Sequence, residues 1–144
     1  MTLDNIVARI NEELAGELLT YNKLKTFLDQ TVDDINNNLD AAFPSFTDFT
    51  YENYPDRYPD YNFFPEKYIR SVLIKGAAYK FYVMDEEGIP TAQQYQYNYN
   101  DNLFIMTRDY LEDVPEEFQA DHLASVQGLS DVAWKDPWIG DSSL

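Results

Sequence analysis

The sequence contains no cysteine and only one histidine, His122. The first absence excludes disulfides, thiolate zinc sites and cysteine nucleophiles. The second leaves little for a Ser–His–Asp relay: His122 lies in an acidic, weakly patterned stretch, and Asp121 beside it in sequence does not make a triad. There is no GxxxxGK[ST], GxGxxG or HExxH motif. Asp29, Asp33 and Asp34 fall close together on a helical stretch, where a solvated acidic face is the expectation. Asp56 and Asp60 are expected to form turns. No catalytic residue, cofactor or metal is therefore expected, and the chain reads as a non-enzyme. Bases are scarce as well, ten Lys and Arg against twenty-six Asp and Glu, for a net charge of −16. So acidic a surface repels phosphate backbones and anionic membranes alike. No apolar run approaches the length of a membrane span. The start, Met1-Thr2-Leu3-Asp4, lacks the basic opening and apolar stretch of a signal peptide, so a reducing, soluble compartment is expected.

What is present is aromatic and helical. Apolar residues make up 44% of the 144 residues, enough for one small core. Twelve Tyr and nine Phe stand out. Tyr joins a large apolar face to a hydroxyl that wants a partner, which suits half-buried positions and interfaces. The charge is uneven: residues 65–90 hold four acids and four bases (Lys67, Arg70, Lys75 and Lys80), whereas residues 115–144 hold six acids and one base. The near-neutral segment is expected to be the packed centre.

Periodicity supplies the elements. Leu3, Ile6, Ile10 and Leu14 predict a helix over 3–15 with Thr2 as N-cap, interrupted at Gly16. Leu24, Leu28, Val32, Ile35 and Leu39 predict a longer one over 20–42, ended by Pro44, with Asp29, Asp33, Asp34 and Asn36–Asn38 on its wet side. Residues 43–64 follow without regular period. They contain three prolines and a doubled Tyr-Pro-Asp, at 54–56 and 58–60. Proline excludes a long helix or a central strand there, and the many rings argue against disorder. A third helix is predicted from Pro65 to Asp85, apolar nearly all round and small at Gly76-Ala77-Ala78, hence central. Gly88 and Ile89-Pro90 turn the chain. Thr91 and Gln94 form a capping-box pattern, and Ala92, Tyr95, Tyr99, Leu103, Met106, Tyr110 and Val114 mark the buried face of a fourth helix, antiparallel to the third.

Beyond Pro115 the pattern fades. Residues 121–144 read as an irregular C-terminal extension of a 1–120 helical domain, and carry both tryptophans, Trp134 and Trp138. The fold class expected is thus mainly α: a small helical bundle with a Tyr/Pro-rich loop and an irregular extension. The interaction candidates are Tyr54, Tyr58 and Tyr61 in the loop and Trp134 and Trp138 as anchors, either into the chain's own domain or into a partner.

This order of features, and above all residues 64–119 together with the opening TLDNIVARINEELAGELLTYNKLKTFLDQTVDDINNNL, resembles the head-to-tail connector (adaptor) proteins of tailed bacteriophages. The resemblance covers roughly 110 residues as a layout; no single motif in it is diagnostic. It implies a homo-oligomeric ring, commonly dodecameric, in the virion neck, assembled in the bacterial cytoplasm. Its partners would be the portal protein and the next neck or tail component, with DNA passing through without specific binding and no membrane involved. Two other readings accompany it: another neck or tail-completion protein, and an acidic DNA mimic that inhibits a host nuclease.

Overall fold

A computed structural model describes residues 1–14, 18–84 and 89–119, and these are mainly helical. Helix α1 spans Leu3–Glu13 and α2 spans Tyr21–Leu39. The third rod is composite: α3, Glu66–Tyr68, runs into a π-helical turn, Ile69–Ile74, and then α4, Lys75–Met84. Helix α5 spans Ile89–Arg108, followed by a short α6, Tyr110–Asp113, and a 3₁₀ turn, Glu116–Phe118. Among the described residues, no helix is long and apolar enough to cross a membrane.

Local chemistry sets the helix ends. Thr2 caps α1 by accepting the amide of Asn5 at 3.1 Å, satisfying one of the donors a helix start leaves open. The side chain of Asn11 then accepts the amide and donates to the carbonyl of Leu19, both at 2.9 Å, holding the approach to α2 against α1. Helix α2 stops at Leu39, earlier than proline alone predicts. Asp40 takes the left-handed conformation (φ 55°), which Asp tolerates better than most residues. Asn36 bonds both backbone groups of Phe43, at 2.9 and 3.0 Å. A left-handed cap, not Pro44, is the terminator.

The apolar stripes face inward as the periodicity requires. Ile6, Ile10, Leu24, Leu28, Val32, Ile35 and Leu39 are all buried, each contributing roughly 1.5–3 kcal/mol relative to exposure. The α3–α4 rod is central, touching α1, α2 and α5. Gly76 shows how closely: a Cβ there would lie 2.7 Å from Cε1 of Tyr99 on α5, and would also collide with Cγ2 of Thr31 on α2. Helices α4 and α5 are antiparallel, since Tyr82 stacks on Tyr95, Tyr79 meets Tyr99, and Asn102 donates to the Ser71 carbonyl at 3.1 Å. That last bond gives a side-chain partner to a carbonyl of the π turn, where the α pattern of backbone bonds is broken. The rod was expected to be one uninterrupted α-helix. Its π turn instead buries Ile69, Val72, Leu73 and Ile74 among three neighbouring helices.

Two boundaries differ at the other end. Thr91 lies inside α5 and is not its cap, because the helix already begins at Ile89 with Pro90 in its first turn, a position that suits proline. The fourth helix is also not continuous to Pro115. It breaks at Asp109 between α5 and α6, although Tyr110 and Val114 remain buried.

Residues 43–64 fold into an aromatic lobe. Asp29 of α2 accepts the Phe46 amide and the Thr47 hydroxyl, each at 2.6 Å. Thr2 and Asp60 form an antiparallel bridge, with the Tyr61 amide donating to the Met1 carbonyl at 3.2 Å. The Tyr58–Pro59 peptide is cis. Inside the lobe Phe46 stacks on Tyr61 at 4.2 Å, and Phe49 packs edge-on against both Tyr61 and Phe63 at 5.3 Å. The chain returns here at its far end. Phe118 packs on Phe43 and Phe63, and its carbonyl accepts the Ala42 amide at 2.7 Å.

Candidate interaction surface

The three loop tyrosines occupy three different environments. Tyr61 is fully buried, and its hydroxyl donates to the Pro44 carbonyl at 2.7 Å. It was expected at an interface; it belongs to the core, because the aromatic run closes on itself around this ring. Tyr54 is half-buried, packed between Phe49 and Phe63 at 5.6 and 5.5 Å. Tyr58 is 43% exposed, with its ring on Phe49 and edge-on to Tyr51. Tyr51, which the sequence reading passed over, is 62% exposed. Trp134 and Trp138 lie outside the described residues.

Tyr51 and Tyr58 stand beside an open cleft of about 320 Å³ between the lobe and the starts of α1 and α2. Leu3, Tyr21, Phe46 and Phe49 form its apolar lining, Thr47 and Thr50 supply hydroxyls, and Lys25 and Glu52 bring one charge of each sign. Burial, with the nearby charges of Asp29 and of the Tyr58 phenol when it ionises, pushes the Tyr21 phenol up to about 12. Its hydroxyl therefore stays protonated and donates to the Phe46 carbonyl at 3.2 Å. Lys25 makes no ion pair among the described residues. By contrast, Arg9, Arg57, Lys67, Lys75, Lys80 and Arg108 each hold a carboxylate.

A second exposed aromatic pair lies on α5. Tyr97 and Phe104 are 70% and 66% exposed, and a spacing of seven places them on one face of the helix. Phe104 borders a separate cleft of 320 Å³ with Asp34, Asn38 and Tyr99. The signal for this pair was available, since two large rings recur at helical period off the buried stripe.

The acids are less idle than a solvated face implies. Asp29 anchors the lobe. Asp34 accepts from Lys80 at 2.7 Å and from the Tyr99 hydroxyl at 3.2 Å. Only Asp33 of that trio is exposed. Glu13 takes the Lys75 ammonium at 2.6 Å and the Tyr95 hydroxyl at 2.7 Å. Burial pushes Glu13 upward, but these two partners outweigh it and hold its carboxyl below the ordinary value. Such pairs join α1 and α2 to the central hairpin. Among the described residues, no group of three or more Asp, Glu or His is arranged to hold a metal ion. No protein-family model matches the chain, and neither does any curated protein or solved structure.

Proposed function

We propose that this chain is a structural, non-catalytic subunit of a homo-oligomeric ring, the head-to-tail adaptor in the neck of a tailed bacteriophage, between the portal and the next neck or tail component. The observation that carries this reading is the pair of separate exposed aromatic patches, Tyr51 with Tyr58 on the lobe and Tyr97 with Phe104 on α5. A ring contact is heterologous: each subunit offers one surface to the neighbour ahead and a different one to the neighbour behind. Two patches on different elements of a small acidic chain suit that requirement, whereas scattered single apolar residues would not. The net charge of −16 fits a channel wall along which DNA moves without adhering. The sequence layout described above supplies the phage context. A DNA mimic, by comparison, needs its carboxylates free, and here Glu13, Asp29, Asp34 and Asp113 are all engaged by the chain itself.

The test is direct. Purified full-length protein, imaged by negative-stain electron microscopy and weighed by mass photometry, is expected to give closed rings, alone or on portal-bearing heads. A monomer at every concentration that also fails to bind such heads overturns the proposal.

A further inference from the structure

We infer that the exposed ridge of α5, Tyr97 with Phe104, docks into a groove on α1 of a second copy of this chain. This contact deepens the ring reading and rests on it.

The ridge has the composition of an interface. Of the twenty residues of α5 only Asp101 and Arg108 are charged, in a chain where a quarter of all residues are. Charge is depleted and aromatics are enriched at the centres of protein interfaces. Tyr97 and Phe104 rise from this nearly neutral face, two turns and about 10 Å apart along the helix.

The groove is open, holds about 460 Å³, and is lined by Asp4, Val7, Ala8, Asn11, Glu12 and Leu18. Its lining is mainly apolar, and Leu18 is 85% exposed. That leucine is held in place, because Asn11 bonds both backbone groups of the next residue, Leu19, at 2.9 Å. The α1 residues recur every three or four positions from Asp4 to Glu12, so the groove extends over the same two turns as the ridge.

Charge selects the occupant. Asp4 and Glu12 are the charged residues of the groove, and no base lines it among the described residues. Asp4 makes no ion pair among those residues, and Glu12 only an exposed one with Arg9 at 3.5 Å. On α5, Arg108 lies four residues past Phe104 on the same face. Its Nε alone is engaged, by the adjacent Asp109 at 3.2 Å. With the two helices antiparallel, Phe104 covers Ala8 as Arg108 meets Asp4, four residues apart on each side. Asp101 then falls opposite the uncharged Asn11, and Tyr97 lies toward Leu18. Both α1 and α5 are packed on the central rod, so the ridge cannot turn onto the groove of its own chain. Only another copy brings the two together. The groove also adjoins the lobe patch, since Leu3 lines the lobe cleft and Asp4 the groove. Ridge and groove form a heterologous pair, the kind that closes rings.

Two full-length variants break the halves separately, Phe104→Asp on the ridge and Ala8→Arg in the groove. Both positions are exposed, so the thermal midpoint should stay close to that of the parent. Sedimentation velocity is run alone and with portal-bearing heads. The parent is expected to form oligomers and each variant to remain monomeric. Their equimolar mixture should give heterodimers and nothing larger, because one intact ridge and one intact groove remain. Independently, Arg108→Glu should weaken association about tenfold at low salt, and adding Asp4→Lys should restore it. A mixture that stays monomeric or regrows full oligomers overturns the contact, as does an Asp4→Lys change that restores nothing. An Ala8→Arg variant that melts earlier yet assembles normally shows a groove covered by its own chain, and overturns it too. Rings formed equally by the parent and both variants refute this contact and leave the ring reading standing. A parent that is monomeric at every concentration and does not bind heads refutes both.

Discussion

The helical bundle and the aromatic lobe solve the same problem by different means. The bundle hides aliphatic side chains along regular stripes, so its core is Ile6, Ile10, Leu24, Leu28, Ile35, Ile69 and Leu73, with backbone bonds closed inside each helix. The lobe has no period to exploit. It buries Phe43, Phe46, Phe49, Tyr61, Phe63 and Phe64, and much of its backbone must find partners outside itself, including the side chains of Asp29 and Asn36. Every buried polar group needs such a partner. Regular elements supply theirs automatically, whereas the lobe draws on α2, on the N-terminal residues and on Phe118. The lobe is therefore a dependent structure. The difference explains why polar residues on the outer side of α2 are structural and not merely solvating.

That dependence can be broken deliberately. The largest effect is expected from Phe49→Ala, which removes a ring in contact with Tyr54, Tyr58, Tyr61 and Phe63. Loss of a buried Phe costs about 3–5 kcal/mol. If lobe and bundle form one cooperative unit, near-UV and far-UV circular dichroism will lose signal together at a lower temperature. If the lobe opens first, the near-UV signal will go while helicity persists, and the two regions are separate folding units.

A somewhat smaller effect is expected from the bundle side. Gly76→Leu pushes a side chain into Thr31 and Tyr99, neither of which moves freely. The Thr31 hydroxyl is bonded to the Phe27 carbonyl at 2.9 Å, and the Tyr99 hydroxyl to Asp34. Overpacking of this kind costs about 1–3 kcal/mol, more than the roughly 1 kcal/mol of helix propensity gained on replacing glycine. Here the far-UV transition should shift downward with the near-UV one. An unchanged midpoint would mean that the three helices are not held as closely as the Cβ position requires.

The same contrast governs how much the sequence could disclose. The bundle was legible because one rule, a 3.6-residue period, placed Leu24 through Leu39 and Tyr95 through Val114 on their buried faces. Gly76 also announced itself as a contact between close helices. What periodicity missed was local. Asp40 ends α2 by adopting a left-handed conformation that no pattern marks, and the π turn at Ile69–Ile74 is invisible in a helix apolar on all sides. In the lobe, composition indicated that the rings must be buried but not which ones. Tyr51, Tyr54, Tyr58 and Tyr61 are chemically identical, and only three-dimensional closure decides that Tyr61 is core and Tyr51 is surface. The partnership of Asp29 with Phe46 and Thr47 spans seventeen and eighteen residues. Long-range pairs of this kind leave no trace in local pattern.

The smallest effect expected is the dependence of stability on pH, which separates ion pairs from buried phenols. On the acid side, burial raises Glu13 but Lys75 and Tyr95 bring its carboxyl below the ordinary 4.5. Asp113 falls below 3.8, chiefly because the Tyr68 hydroxyl donates to it at 2.7 Å. A carboxyl held more acidic in the fold than in the unfolded chain adds stability above its unfolded value and loses it as pH falls through the folded one. The bundle should therefore weaken below about pH 4.5. The loss for the Glu13–Lys75 pair would be on the order of 0.5–1 kcal/mol once solvent screening is allowed for. On the alkaline side the sign reverses. Burial raises Tyr21 to about 12, and raises Tyr61, Tyr68, Tyr95 and Tyr99 above the ordinary 10.0. A phenol kept neutral by the fold contributes fully below pH 10 and loses that contribution as pH climbs from there through its folded value. Urea midpoints measured from pH 3 to 11 should thus show a plateau bounded by two declines. Glu13→Gln should lower the plateau and flatten the acid decline, because the variant has no proton left to take up there. Tyr99→Phe should soften the alkaline decline while leaving Asp34 its ion pair with Lys80. An alkaline limb identical in Tyr99→Phe and the parent chain would leave its control to the other raised phenols, Tyr21 and Tyr95 on the helices, Tyr68 at the start of the central rod and Tyr61 in the lobe.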